Sequence, residues 1–128
     1  MEKQHWLITG VSGGLGRAIA HEALKRGHQV SGTLRKAEQV AEFEQLAPGR
    51  AFGYLADVRN RASLKQFVEQ ATKRAGLIQV LVNNAGYGLV GAVEELSEEE
   101  IRQQMEVNFF GALALVQEVL PYLREQQS

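Results

Sequence analysis

The stretch Thr9-Gly10-Val11-Ser12-Gly13-Gly14-Leu15-Gly16 constrains this chain more than any other. An apolar run, Trp6-Leu7-Ile8, leads straight into it, and a helical pattern begins at Leu15. A buried strand that turns sharply into a helix leaves the first helical N–H groups without partners and aimed at the turn, which makes the turn an anion site. Gly10 allows the bend, Gly14 lets backbone approach a pyrophosphate, and Gly16 lets the helix lie against the strand; a Cβ would strain or block each step. The implied ligand is a dinucleotide. A glycine cluster alone reads equally well as an ordinary turn, so the context has to decide.

That context is a regular alternation of strand and helix. Gln4 to Thr9 reads as a first strand, nearly continuous in its apolar centre, as a parallel strand covered on both faces should be. A helix over Gly14 to Arg26 places Leu15, Ala18, Ile19 and Ala23 on one face and ends at Gly27. Strand two covers Gln29 to Leu34. Helix two, Ala37 to Leu46, directs Val40, Phe43 and either Leu46 or Ala47 inward before Pro48-Gly49 stops it. Strand three is Ala51 to Leu55. Asn60 then caps a helix whose Leu64, Phe67, Val68 and Ala71 keep a helical period until Gly76. Strand four is Gln79 to Val82, followed by a connecting loop over Tyr87 to Leu96. Ser97 and Glu100 form a capping box, with Leu96 and Ile101 placed for a hydrophobic staple, so a last helix starts at Glu98 and runs to Gln126. The pattern predicts an α/β fold with a doubly wound parallel sheet, since four strands are too few for a barrel.

A chain of 128 residues with 45% hydrophobic content fits one domain, residues 1–128, of the usual size of about 100 to 150 residues. A net charge of −1, with Lys and Arg scattered, offers no bulk attraction to nucleic acid. Without cysteine there are neither disulfides nor thiolate metal sites. His5, His21 and His28 lack metal-ligand spacing and are expected at the surface, so no metal is expected. The acidic run Glu94, Glu95, Glu98, Glu99 and Glu100 suits a helix start rather than a carboxylate pair for catalysis. No apolar run approaches the roughly 20 residues that span a bilayer, and the first strand begins at once without a signal-peptide core, so a cytoplasmic chain without a membrane partner is expected.

Four marks coincide in order: Thr9-Gly10 to Gly16 after strand one, Asp57-Val58 after strand three, Asn83-Asn84-Ala85-Gly86 after strand four, and Asn108 within Val107-Asn108-Phe109-Phe110-Gly111. Together they resemble the short-chain dehydrogenase/reductase family over essentially the whole chain. The resemblance implies a Rossmann-like fold, here truncated after the fourth strand and the long helix that follows it. It implies a cofactor site built from Gly10, Ser12, Gly13, Gly14, Leu15 and Gly16, with Asp57 and Val58 at the adenine and Asn84, Ala85 and Gly86 on the adenosine side. Asn83 and Asn84 also read as turn asparagines that brace the glycine loop, a role expected for Asn83 ahead of ligand contact, and the resemblance implies that Asn108 bends its helix and holds a water in the proton relay. An amide buried in an apolar helix costs about 1 to 3 kcal/mol unless paired, so Asn108 is also expected to have a partner.

NAD-binding members of that family carry an acid at the end of strand two, where this chain has Leu34. Arg35 follows, a planar guanidinium suited to a 2′-phosphate, and Ser12 could add a hydroxyl, so the resemblance implies NADP before NAD. The family's catalytic serine and Tyr-x-x-x-Lys pair are not found: Tyr54 is followed four residues on by Val58, Tyr87 by Gly91 and Tyr122 by Gln126. The expectation is the cofactor-binding half of an enzyme acting on a small-molecule carbonyl or alcohol, or else a non-catalytic nucleotide-binding or interaction module. Strand four would be a bare hydrophobic edge, and the long helix is apolar on most sides, so self-association into a homo-oligomer is expected as well.

Overall fold

The computed structural model describes residues 2–84 and 93–125. Strands β1 (His5–Ile8), β2 (Gln29–Leu34), β3 (Ala51–Leu55) and β4 (Val80–Val82) form one parallel sheet in the order β3-β2-β1-β4. The chain steps outward from β1 to β3 and then returns to the other side of β1. The order therefore reverses beside β1, which opens a crevice at the carboxyl ends of β1 and β4.

Helices cover both faces. On one, α1 (Gly14–Lys25) and α2 (Ala37–Glu44) bury Ala20, Ala23, Leu24 and Phe43 against Ile8, Val30, Leu34 and Ala51. On the other, α3 (Arg61–Ala75) and α5 (Ala112–Glu125) bury Leu64, Phe67, Val68, Ala71, Leu115 and Val119 against Leu7 and Ile78. Each large apolar side chain removed from water contributes about 1.5 to 3 kcal/mol, so these two layers hold the sheet between them. Of the two inward candidates ending helix two, Ala47 is buried and Leu46 is exposed.

The ends of the elements follow the expected chemistry. Asn60 Oδ1 accepts from Ser63 N at 3.1 Å, and Ser97 Oγ accepts from Glu100 N at 3.0 Å while the Glu100 carboxylate accepts from Ser97 N at 3.3 Å. Gly27, Gly49 and Gly76 follow α1, α2 and α3 with φ of 90°, 82° and 88°, a backbone that side chains rarely adopt. Arg50 adds a clasp, its Nη1 donating to Leu24 O at 2.7 Å and His28 O at 3.2 Å beyond the end of α1.

Two expectations are corrected. The buried stripe of α1 is Gly16, Ala20, Ala23 and Leu24, leaving Leu15 69% exposed and Ala18 exposed. Gly16 sets this rotation. A Cβ there would collide with the Gly10 carbonyl and the Asn84 side chain, so the face pressed to the sheet starts at Gly16 and recurs at i+4, i+7 and i+8.

His5 and His28 are buried, and only His21 is exposed. His5 Nδ1 lies 3.0 Å from Gly76 O and its Nε2 lies 2.6 Å from Ser31 Oγ. A carbonyl can only accept, so Nδ1 carries the proton and Nε2 accepts from the Ser31 hydroxyl. His28 Nδ1 accepts from Gln4 N at 3.0 Å, and its ring stacks on Trp6 with centroids 5.9 Å apart. Both imidazoles join strand ends that sequence spacing does not place side by side.

The last helix runs unbroken through residues 98–125 but is not uniformly α. It consists of α4 (Glu98–Met105), a π-helical segment (Glu106–Gly111) and α5. Arg61, at the start of α3, ties down α5 through Glu118 Oε1 at 2.9 Å and Gln117 Oε1 at 2.8 Å.

Candidate cofactor site

The glycine loop sits in the crevice. Thr9 N donates to Val82 O at 3.1 Å, Val11 N to Thr33 O at 3.1 Å and Gly10 N to Thr33 Oγ1 at 2.8 Å, so β4 and β2 hold the loop from both sides. Gly10 and Gly14 have φ of 73° and 58°. A Cβ on Gly14 or Gly13 would meet nothing within 4 Å, so the space above the loop is open on the side where a phosphate would approach. Val11 turns the other way and lies on β2, where a Cβ on Gly32 would come within 2.5 Å of it. Ser12, Gly13 and Leu15 are exposed at the mouth, and a cavity of about 210 Å³ beside them is lined by Ser12, Arg17, Leu34, Gln39 and Phe43 among others.

Of the paired asparagines, it is Asn84 and not Asn83 that braces the glycine loop. Asn84 braces the loop: its N donates to Thr9 Oγ1 at 3.0 Å, and its Nδ2 donates to Thr9 O at 3.1 Å and Gly10 O at 3.0 Å. Asn83 faces the long helix instead, with Nδ2 donating to Ala112 O at 3.3 Å. Alternation decides this, since neighbouring residues leaving a strand point to opposite faces. Ala85 and Gly86 lie outside the described residues.

Asp57 and Val58 follow β3 at the same end of the sheet. Asp57 Oδ1 and Oδ2 accept from Arg59 Nε and Nη2, each at 3.1 Å, and Oδ1 also accepts from Arg59 N at 2.9 Å. These bonds hold the Asp57 carboxyl below the usual carboxylate range, with a smaller contribution from the charge of Arg35. Arg35 is exposed just beyond β2, next to buried Leu34, so a cation and not an acid follows the strand, while Glu42 of α2 lines the cavity beside Leu34. Asn108 is exposed within the π segment, so the argument from a buried amide does not apply to it here. No sequence signal separated Asn83 from Asn84, whereas the Asn108 motif marked the place where the helix departs from α geometry and contains the close-packed Gly111 that ends the π segment.

An open loop between β1 and α1, an asparagine brace from β4 and a cation past β2 make an arrangement that can receive an anion such as a pyrophosphate. The sequence matches the short chain dehydrogenase family over residues 4–128. The chain belongs to that family. It is 41% identical over 126 residues to a 3-ketodihydrosphingosine reductase of Bacteroides thetaiotaomicron, covering 98% of this chain and 44% of the relative. It is 37% identical over 116 residues to an NADPH-dependent 3-dehydrocapnine reductase of Ornithobacterium rhinotracheale, covering 89% of this chain and 41% of the relative. A solved short-chain dehydrogenase of Streptomyces avermitilis superposes with a TM-score of 0.94 at 38% identity, over 99% of this chain and 47% of that one. This short-chain dehydrogenase chain thus spans about half the length of the relatives it matches, and those relatives are oxidoreductases. Among its described residues no helix is long and apolar enough to cross a membrane.

Proposed function

We propose that this chain supplies the cofactor-binding half of an NADP-dependent oxidoreductase that moves hydride between nicotinamide and a small-molecule carbonyl or alcohol. The observation that carries the cofactor choice is Arg35, exposed beside buried Leu34 at the strand end where a carboxylate would repel a 2′-phosphate. The NADPH dependence of the Ornithobacterium relative supports the same choice. Gly10 to Gly16 receive the pyrophosphate, Asp57 and Val58 meet the adenine, Asn84 holds the loop in shape, and Asn108 is the one member of the proton relay in this chain. The ketone named for the Bacteroides relative is the first substrate to try with the parent enzyme.

Replacing Arg35 with aspartate tests the assignment. NADPH binding should weaken by about 1.5 to 3 kcal/mol, the range for a charge-assisted hydrogen bond, while NADH binding holds or improves. Calorimetric titration of both cofactors reads this directly, and unchanged NADPH affinity would reject the role of Arg35. A second reading, a nucleotide-binding or interaction module without chemistry, shares the cofactor site and differs in what the parent protein catalyses. Under either reading the chain alone should leave NADPH oxidation at background.

A further inference from the structure

The π segment and the Asp57–Val58 loop meet at a single residue. A Cβ on Gly111 would stand 2.6 Å from Val58 O, 3.2 Å from Val58 Cβ and 3.2 Å from Glu106 O. Two of these neighbours are backbone oxygens, which cannot swing aside as the end of a side chain can. Gly111 is not among the positive-φ glycines, so the position needs space rather than an unusual backbone. On the same inner side Val107 is buried, and just past the segment the Ala112 carbonyl takes the hydrogen bond from Asn83 at 3.3 Å. The turn that carries Asn108 is therefore clamped between the end of β4 and the loop after β3.

We propose that Gly111 is a positioning residue, whose missing side chain seats the Val58 carbonyl on the π segment and so couples a ligand held at Val58 to the placement of Asn108. The proposal rests on the reading of Asp57 and Val58 as the adenine side of the cofactor site. Its physical basis is a contact without slack: in a close-packed interior, a shift of either backbone has to be taken up by the other. Widened π turns occur where helices serve function, and here the turn lies against the cofactor loop rather than in open solvent.

Adenosine 2′,5′-bisphosphate, which carries the adenine and the 2′-phosphate but no nicotinamide, is the probe. In Gly111→Ala, its affinity measured by calorimetry should fall about tenfold with helicity unchanged, whereas Leu113→Ala, exposed on the neighbouring helix, should stay within about twofold of wild type. A Gly111→Ala protein that loses thermal stability but keeps its affinity would overturn the proposal. If that variant does not fold, amide hydrogen exchange on the wild-type chain decides instead. The probe should slow exchange in residues 106–112 together with residues 57–59, and protection confined to 57–59 would overturn the coupling. A wild-type chain that ignores the probe would remove the cofactor reading itself and this inference with it.

Discussion

Single residues decide whether the glycine loop keeps its shape. Asn84 gives two side-chain bonds to the carbonyls of Thr9 and Gly10, in a partly buried setting, and Asn83 gives one, exposed, to Ala112. Removing Asn84 takes a donor from each of these two carbonyls, which should cost about 1 to 3 kcal/mol and weaken dinucleotide binding as the loop loosens. Asn83→Ala should change stability by no more than about 0.5 kcal/mol. Urea unfolding of both variants separates them, and a larger loss for Asn83 would reverse the roles assigned here. His5 acts at the opposite end of the sheet. Burial lowers its pKa below the ordinary 6.5, so the native protein holds it neutral where the unfolded chain binds a proton. That contribution is complete above about pH 6.5 and is lost as pH falls below it. The Asp57 carboxyl, lowered from 3.8, loses its own contribution only in a more acid window. Unfolding midpoints measured at pH 7.5 and 5.5 should therefore drop on acidification, and His5→Gln should flatten the drop; an equally steep drop in the variant would clear His5 of the effect.

At the scale of elements, the sheet and the long helix both present unfinished surface. Among the described residues β4 pairs only with β1, and its Val80, Leu81 and Val82 are each partly exposed. Met105, Phe109, Phe110 and Leu113 are exposed along α4, the π segment and α5, with the two phenylalanine rings in edge contact at 5.1 Å. Val116 and Leu120, farther along α5, are half-buried. An open strand edge beside an apolar helix face is an arrangement that association buries most readily. Sedimentation velocity should find dimers or larger species, and Phe109→Glu should shift the distribution toward monomer. A monodisperse wild-type monomer would refute the association.

Over the whole molecule, what could be read from the sequence was local in origin. Strand and helix spans, caps at Asn60 and Ser97, and the glycine stops at Gly27, Gly49 and Gly76 all act within a few residues, and they stand within a residue or two of where the pattern put them. The glycine loop was legible for the same reason, since its bend, its open face and its helix start lie in one short stretch. Tertiary structure decided whatever depends on residues far apart in the chain. Asn84 meets Thr9 across 75 positions, His5 meets Gly76 across 71, and Gly111, at the end of the π segment that carries Asn108, packs against Val58. Periodicity gives a helix its apolar face only to within a residue or two, so Leu15 passed for core until Gly16, pressed against Gly10 and Asn84, set the rotation of α1. Local steric preference writes itself into neighbouring residues, whereas close packing between distant backbones is settled only when the sheet has brought them together.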